Sequence, residues 1–340
     1  MKRVTGQAFA RAGLLGNPSD GYHGKTISFI IRQYAATVEL TEANAITILP
    51  MPDERNSFAS IQDLRKNLSA EGYYGSERLI KAALKKFADY FGETLDSEAP
   101  NFSVSVKTNI PRQVGMAGSS AIIIATLRAA LSWFGVSLPP EILASLALSV
   151  ERDELGIPAG LQDRVVQAFE GLVFMDFSRE RMSEHRGMEV GVYERLPEHL
   201  LRNVYVAYTR HPGEPTEVFH SNLKARFAAG EPAVVAAMQQ FAQLAEQGKR
   251  ALQNRDEQAL RQLINANFDL RRSICRLNPA HVEMVEVARS VGASAKYCGS
   301  GGAIVGTYSD EKMLERLVDV MNGIDCHTLV PHVSGKPQPQ

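Results

Sequence analysis

The chain has 340 residues, of which 44% are hydrophobic and 22% charged, a composition typical of a globular protein with room for two medium-sized domains. Its 37 Lys and Arg nearly balance its 38 Asp and Glu, and the formal net charge of −1 argues against a nucleic-acid or anionic membrane partner. Charged residues interrupt the longest apolar runs, so we expect no membrane span, and three cysteines without metal-ligand spacing suit a reducing cytoplasm.

The first half of the chain mixes strand-like and helix-like patterns. Apolar or alternating runs predict strands at 7–15, 26–32, 37–40, 102–107 and 172–177. Apolar residues at helical spacing predict helices at 77–90, 119–134, 142–154 and 161–170. We therefore expect a substantial sheet with helices packed on it.

A polar stretch without periodicity, residues 178–200, separates the two halves. We place a domain boundary there, which predicts an N-terminal domain at 1–185 and a C-terminal domain at 200–335. The patterns beyond it predict strands and helices in the order strand 204–208, helices 232–253, 257–277 and 281–291, strand 303–307, helix 311–322 and strand 326–330. That order indicates an α+β domain, with a frayed tail, GKPQPQ, after it.

A glycine-rich stretch links the predicted strand 102–107 to the apolar helix 119–134. Its residues are Pro111, Arg112, Gln113, Val114, Gly115, Met116, Ala117, Gly118, Ser119, Ser120 and Ala121. Glycines let backbone N–H groups approach an anion, and a helix N-terminus carries partial positive charge, so the stretch suits phosphate. A hydroxyl of Ser119 or Ser120 would then hold Mg²⁺. A tight turn with Ser119 as the helix N-cap explains the same pattern equally well.

Two carboxylates on successive helical segments suit phosphoryl transfer. Glu151 lies late in the helix 142–154, and Asp163 lies near the start of the helix 161–170. Glu151 fits a metal clamp on the phosphates, and Asp163 fits the group that orients or deprotonates the attacking hydroxyl. A solvated acidic helix surface is the alternative for either residue.

Arg11 lies inside an apolar strand-like run, where a lone cation is unfavourable. We expect it to neutralise a transferred phosphoryl group or to pair with Asp163. The following segment 16–24 contains side chains suited to sugar hydroxyls, namely Asn17, Ser19, Asp20 and Tyr22. A second glycine-rich loop, 299–302 with Gly299, Gly301 and Gly302, would complete a cleft from the other domain. Turn formation explains both segments equally well.

Together and in this order, these segments resemble the GHMP kinase superfamily, whose members phosphorylate galactose, homoserine, mevalonate and related small molecules. The segments 11–24, 111–121 and 299–303 are similar to its three motifs. Within the superfamily the chain looks like the glucuronokinases over roughly residues 8–307, through ARAGLLGNPSDGYHGKTIS, EGYYGSERL, TNIPRQVGMAGSSAI, ELGIPAGLQDRV, NFDLRRSI, EMVEVARSVGASAK and CGSGGA.

The resemblance implies an α+β fold of two domains, one ribosomal-S5-like and one ferredoxin-like, with ATP and Mg²⁺ in the cleft between them. It also implies that Arg11 stabilises the phosphoryl group, Glu151 binds the metal and Asp163 is the catalytic base. The nucleotide cradle corresponds to Gly115, Gly118, Ser119 and Ser120. The chain departs from the common Gly-Leu-Gly-Ser-Ser-Ala of the second motif, which leaves the metal-binding serine open, and from the Gly-Glu-His of the first.

The implied acceptor is the anomeric hydroxyl of D-glucuronate, which would yield glucuronate 1-phosphate and ADP. An acid sugar calls for a cation in the cleft, and the candidates are Lys25, Arg112, Arg271 and Arg272. Because neighbours on a helix point about 100° apart, at most one of Arg271 and Arg272 serves. The alternatives are a 1-kinase for another hexose or uronic acid and a non-catalytic sugar sensor, and the oligomeric state stays open.

Overall fold

The computed structural model describes residues 1–51, 60, 75–96, 98–210 and 217–335, with side chains in the last range from residue 223 onwards. The first four residues of the stretch EGYYGSERL and most of the GKPQPQ tail lie outside the described residues. Within the described ranges, no helix is both long enough and apolar enough to cross a membrane.

The N-terminal half is built on a mostly antiparallel sheet. Its strands are β1 (Arg3–Leu15), β2 (Lys25–Glu42), β3 (Thr47–Ile48), β4 (Phe102–Thr108), β5 (Leu172–Asp176) and β8 (Val192–Leu196). Between β5 and β8, the strands β6 (Ser183–His185) and β7 (Met188–Val190) form a separate hairpin. The order across the sheet is β3-β4-β2-β5-β8, with β1 paired to β2, and only β3 and β4 run parallel. The predicted strands at 7–15, 102–107 and 172–177 are confirmed within a few residues.

The prediction of separate strands at 26–32 and 37–40 is wrong, because β2 is one strand of 18 residues. Its first part pairs with β5 and its second part with β4, while β1 runs along both parts. The β1–β2 register shifts between Phe9, which faces Ala35, and Ala10, which faces Ile31. The predicted gap between the two strands therefore corresponds to a β-bulge within one continuous strand, between Ile31 and Ala35.

Four α-helices and one π-helical turn accompany this sheet in the described part of the chain. They are α1 (Ser76–Phe91), α2 (Gly118–Phe134), α3 (Pro140–Ser149), the π-helical turn Val150–Glu154 and α4 (Gln162–Phe169). Helix α2 is apolar on nearly all faces because it packs on β1, β2 and α1. Gly6 permits this close packing, since a Cβ there would lie 2.0 Å from the carbonyl oxygen of Ala125.

The C-terminal half combines an antiparallel sheet with five helices. In chain order its elements are β9 (Val204–Thr209), α5 (Glu217–Ala228), α6 (Pro232–Asn254), α7 (Glu257–Ile274), α8 (Pro279–Ser290), β10 (Lys296–Tyr297), β11 (Ala303–Thr307), α9 (Glu311–Gly323) and β12 (Cys326–Leu329). The sheet order is β10-β11-β9-β12. Asp256, Asn278 and Asp310 begin α7, α8 and α9, each with a side chain that accepts a backbone N–H.

The predicted limit of the first domain at residue 185 falls short of the first sheet. Strand β8 runs antiparallel to β5, with Leu196 opposite Leu172 and Val192 opposite Asp176. The first sheet therefore extends to Leu196. Because β8 is an edge strand with exposed polar residues, its sequence lacks the apolar alternation of a half-buried strand. The division into domains at 1–185 and 200–335 otherwise stays a prediction.

One hydrophobic cluster contains buried residues from both halves, and the second half has two further clusters of its own. Leu15 of β1 lies against Gly248 of α6, where a Cβ would lie 2.1 Å from the Leu15 Cδ1 atom. Cys298 and Val305 from the second half join the same buried cluster. Beyond β12, the carbonyl oxygen of His332 accepts a hydrogen bond from the backbone N–H of Arg32 in β2 at 2.9 Å. The loops at the C-terminal end of β1 are therefore in direct contact with the second half.

Candidate active site

The N-terminus of α2 lies at this junction, and no side chain caps its first turn. The phosphate loop, residues 111–117, ends at Ala117, which has a left-handed φ of 63° and provides no side-chain cap. The N–H groups in the first turn of a helix have no intrahelical acceptor, and they carry partial positive charge. Ser119 is exposed, whereas Ser120 is buried and its Oγ donates to the carbonyl oxygen of Ala117 at 3.2 Å.

The second glycine loop, residues 299–302, packs directly against the phosphate loop. Gly115 has a φ of 71°, and a Cβ on it would lie 2.7 Å from the carbonyl oxygen of Gly301. A Cβ on Gly299 would lie 2.4 Å from the carbonyl oxygen of Gly115. Both positions require glycine because two backbones meet there. The predicted approach of the two loops from different halves of the chain is confirmed.

Arg11 and Asp163 form a bidentate ion pair beside the two loops. Arg11 donates from Nε to Oδ1 at 2.6 Å and from Nη2 to Oδ2 at 2.8 Å, and its Nη1 donates to the carbonyl oxygen of Gly115 at 2.6 Å. Although burial raises the pKa of Asp163, the charges of Arg11 and Arg164 lower it to about 2. Asp163 is therefore a permanent anion at neutral pH, held next to the phosphate loop.

Glu151 and Arg164 form a second ion pair that sequence reasoning missed. Both side chains are buried, and the Arg164 Nε and Nη2 atoms contact the Glu151 Oε2 atom. Burial raises the pKa of Glu151, and Arg164 offsets part of this effect. Arg164 also donates from Nη1 to the carbonyl oxygen of Gly160 at 2.8 Å and lies 3.7 Å from the Asp163 carboxylate. A metal ion on Glu151 would require this contact to open.

Asp20 projects from the turn Ser19–Tyr22 towards the same place. Its carboxylate lies over Gly160, where a Cβ would come within 2.0 Å of Oδ2. The backbone N–H of Gln162 donates to Oδ2 at 3.4 Å. Burial and the neighbouring charge of Asp163 raise the pKa of Asp20 to about 6. The structure thus brings Asp20, Asp163 and Arg11 together, although they come from three distant parts of the sequence.

A buried polar network from the second half holds the loop that carries Asp20. Lys296 of β10 donates from Nζ to the carbonyl oxygen of Gly13 at 2.5 Å and to the Asn17 Oδ1 atom at 2.6 Å. Asn267 of α7 accepts from the backbone N–H of Gly16 at 2.7 Å and donates to the Asn17 carbonyl oxygen at 3.2 Å. Asn17 is buried in this network, and sequence reasoning did not indicate Lys296 or Asn267.

The remaining predicted substrate contacts lie in different settings. Ser19 is buried and donates to the Lys25 carbonyl oxygen at 3.2 Å, and the Tyr22 ring lies 4.8 Å from the Phe227 ring. Lys25 lies 2.5 Å from a Glu246 oxygen and 3.2 Å from an Asp176 oxygen.

The three arginines proposed for a substrate carboxylate differ in exposure. Arg112 is exposed within the phosphate loop. Arg271 is buried and donates to the carbonyl oxygens of Gly299 and Ser300 at 2.6 and 3.1 Å. Arg272 is exposed and pairs with Glu286 at 2.8 Å. The structure therefore separates Arg271 from Arg272 and brings Arg271 to the second glycine loop.

Comparison with known proteins places this fold in a known class. Residues 78–171 match the family described as GHMP kinases N terminal domain. The mevalonate kinase of Methanococcus jannaschii superposes with a TM-score of 0.71 and 18% identity, covering 96% of this chain and 97% of that one. The galactokinase of Lactococcus lactis, solved with galactose, superposes with a TM-score of 0.76 and 14% identity, covering 98% and 94%. The α+β architecture is thus the GHMP kinase fold, as predicted.

Sequence relatives narrow the assignment further. The chain is 42% identical over 307 residues to Glucuronokinase 1 of Arabidopsis thaliana, covering 88% of this chain and 83% of the relative. It is also 42% identical over 308 residues to Probable glucuronokinase 2 of the same organism, covering 88% and 82%. The chain belongs to the GHMP kinase family, and it is similar to glucuronokinases over most of its length.

Proposed function

We propose that this protein is an ATP-dependent sugar kinase that phosphorylates the anomeric hydroxyl of D-glucuronate, yielding glucuronate 1-phosphate and ADP. The observation that carries this proposal is the 42% identity to Glucuronokinase 1 over most of both chains. The pairing of Arg11 with Asp163 beside the N-terminus of α2 supports the phosphoryl-transfer part independently. The acceptor depends on the relatives alone.

The site fits the phosphates of ATP. The uncapped first turn of α2, with Gly118, Ser119 and Ser120, offers N–H groups, and Gly115 keeps the approach free of side chains. The predicted cradle also includes Pro111, Met116, Ala117 and Ala121. A bound Mg²⁺ supplies charge neutralisation on the transferred phosphates, and the exposed Ser119 hydroxyl suits it better than the buried Ser120. Glu151 fits this ion only if its contact with Arg164 opens.

Side chains of the protein stabilise the transferred phosphoryl group and orient the acceptor. Arg11 presents a buried guanidinium at the point where the two glycine loops meet, which suits stabilisation of charge on the transferred group. Asp163 stays ionised and fixed, so it orients the acceptor hydroxyl for in-line attack. Within the segment from Asn17 to Tyr22, Asp20 faces the acceptor side, whereas Asn17 and Ser19 are buried and hold the segment in place.

A sugar panel with matched members tests the acceptor. Purified protein is assayed with ATP, Mg²⁺ and D-glucuronate, D-glucose or D-galacturonate. Glucose carries a hydroxymethyl group in place of the carboxylate, and galacturonate differs only in its configuration at C4. We expect the highest kcat/KM with glucuronate and a product without a reducing end. A kcat/KM for glucose equal to or above that for glucuronate would contradict the acid-sugar proposal.

The Asp163→Ala variant controls for contaminating kinases in the same preparation. We expect its turnover to fall below detection while its binding of ATP, measured by calorimetry, survives, since Asp163 lies on the acceptor side of the phosphate loop. Turnover equal to that of the wild type would remove Asp163 from the reaction.

A further inference from the structure

An arginine from the second half of the chain holds the second glycine loop. Arg271 of α7 is buried, and its guanidinium donates from Nη1 to the carbonyl oxygen of Gly299 at 2.6 Å and from Nη2 to that of Ser300 at 3.1 Å. Its Cζ atom lies 5.2 Å from the centre of the Tyr297 ring, and this contact restrains the guanidinium further. One planar side chain therefore binds two consecutive peptide groups of the loop.

Arg11 meets the same loop from the first half of the chain. Its Nη1 atom lies 3.4 Å from the carbonyl oxygen of Cys298, to which it donates, and a Cβ on Gly299 would lie 2.9 Å from both of its Nη atoms. Gly299 thus has Arg271 on its carbonyl oxygen and Arg11 against its Cα atom. Because this contact leaves no room for even a methyl group, a shift of Gly299 would change the space that the Arg11 guanidinium occupies.

The contacts of Arg271 argue against its predicted role in reading a substrate carboxylate. Burial, with a smaller contribution from the charge of Arg11, lowers the pKa of Arg271 to about 10, so Arg271 is still a cation at neutral pH. Hydrogen bonds from a charged donor are stronger than those from a neutral one. A carboxylate on the sugar would have to displace the bonds to Gly299 and Ser300 before it could reach either Nη atom.

We infer that Arg271 is a positioning residue for phosphoryl transfer, which holds the second glycine loop against Arg11 and so fixes the orientation of the Arg11 guanidinium. Arg271 acts through Gly299 rather than on the reacting atoms. Arg11 in turn stabilises charge on the transferred group, and such stabilisation depends on preorganised geometry. This inference rests on the proposed kinase activity and adds a residue of the second half to it.

Conservative replacement of Arg271 tests the inference. Arg271→Lys keeps the charge, but an ammonium group lacks the planar fork that reaches two peptide oxygens at once. We expect kcat to fall roughly tenfold or more, while the KM values for ATP and for the sugar stay within about twofold, because a displaced Arg11 loses contacts made in the transition state. Arg261→Lys is the matched control, since Arg261 lies on the same helix and donates to the carbonyl oxygen of Gly292 at the surface. It should leave kcat unchanged.

A double-mutant cycle separates an effect through Arg11 from a general loss of structure. In an Arg11→Lys background, Arg271→Lys should lower kcat by less than about twofold further, because the group that Arg271 positions is already replaced. A merely structural Arg271 would lower kcat by the same factor in both backgrounds. Thermal melting and ATP binding report whether each variant is folded.

Hydrogen exchange tests the contact without using turnover. Backbone amides of residues 299–302 should exchange roughly tenfold faster in Arg271→Lys than in the wild type, whereas Arg261→Lys should match the wild type there. Because this measurement needs no sugar, it reports on Arg271 even if the acceptor is not glucuronate. Wild-type turnover of glucuronate tests the proposed function separately, and if another sugar is the substrate the kinetics are recorded with that sugar.

Three results would overturn the inference. These are an unchanged kcat in Arg271→Lys, equal losses of kcat in the wild-type and Arg11→Lys backgrounds, and unchanged exchange of the amides of residues 299–302. A raised KM for the sugar at constant kcat would also overturn it, since that result would make Arg271 a contact of the substrate carboxylate.

Discussion

At the scale of single residues, a lone cation in an apolar strand was an informative sequence signal. Arg11 lies among buried side chains of β1, and the desolvation cost of a buried guanidinium predicts an anionic partner. The predicted pairing with Asp163 is confirmed by two hydrogen bonds. Its role in the reaction stays a prediction, because an ion pair that organises the fold has the same geometry.

Replacement of Arg11 by lysine separates these two roles. Arg11→Lys keeps the charge. The planar guanidinium of Arg11 donates to both Asp163 oxygens and to the Gly115 carbonyl oxygen, and the compact ammonium group of a lysine cannot reproduce this geometry. We expect kcat to fall roughly 10²-fold, as for loss of one preorganised donor in an active site. Steady-state kinetics measure this, with Arg3→Lys at an exposed pair as the unaffected control. A purely structural Arg11 would lower the melting temperature and leave kcat intact.

Arg164 shows where reasoning from single residues ends. It immediately follows Asp163 and lies 3.7 Å from its carboxylate, yet its guanidinium contacts Glu151, 13 positions earlier. The π-helical turn Val150–Glu154 has a wider hydrogen-bonding ring than an α-helix, and it ends the regular helix α3 just before Glu151. Nothing in the local periodicity predicted that turn, so the partner of Glu151 could not be inferred.

At the scale of elements, the junction of the phosphate loop with α2 depends on backbone conformation more than on side chains. Gly115 and Ala117 both have left-handed φ values, and Ala117 lacks the freedom of glycine there. A strained, uncapped helix start is destabilising unless its N–H groups gain a partner. The sequence predicted the helix and its glycines, but an N-cap by Ser119 was an equal alternative, and the structure places Ser119 inside the helix instead.

A glycine-to-alanine pair tests this junction. Gly115→Ala adds left-handed strain and a contact of 2.7 Å with the Gly301 carbonyl oxygen. Gly135→Ala, at the other end of α2, adds similar strain with φ of 66° and meets no atom within 4 Å. Gly135→Ala should lose about 1–2 kcal/mol of unfolding free energy, and Gly115→Ala should lose more because the backbone contact adds to the strain. Only Gly115→Ala should raise the KM for ATP, by roughly tenfold or more. Equal KM values for the two variants would contradict a nucleotide role for the loop.

At the scale of the whole molecule, Lys296 ties the second sheet to the loop that carries Asp20. Its Nζ atom donates to Gly13, Asn17 and Tyr297 at 2.5–2.8 Å. Lys296→Met leaves these buried acceptors unsatisfied, so we expect a loss of about 1–3 kcal/mol in unfolding free energy and a raised KM for the sugar. Urea unfolding and kinetics measure these effects. The exposed Lys107→Met should show neither effect.

The effect of Lys296→Met should depend on pH. Burial lowers the pKa of Lys296 well below its ordinary value of 10.5, so between the two values the unfolded chain binds more protons than the folded protein. Stability from Lys296 therefore rises with pH. The loss caused by the substitution should be larger at about pH 9.5 than at about pH 7. A loss that shrinks with rising pH would contradict this assignment.

The sequence by itself determined the order and type of most elements, because burial of apolar faces imposes periods of two residues in strands and 3.6 residues in helices. It also determined the family, because motifs such as TNIPRQVGMAGSSAI and ELGIPAGLQDRV contain the glycines and the charged side chains of the site in a characteristic order along the chain. The bulge in β2 and the edge strand β8 escaped detection, since hydrogen bonds to neighbouring strands define both.

The sequence offered the pairing of Arg11 with Asp163 as one of two alternatives, but only the tertiary structure decided how the charged groups pair. Arg11 meets Asp163, Glu151 meets Arg164, and Asp20 lies over Gly160 without a cation of its own. Charge interactions and desolvation depend on distances through space, and residues from separate elements reach those distances only when the two halves pack together. The arrangement of these charged groups is therefore a property of the folded cleft, although every residue in it is visible in the sequence.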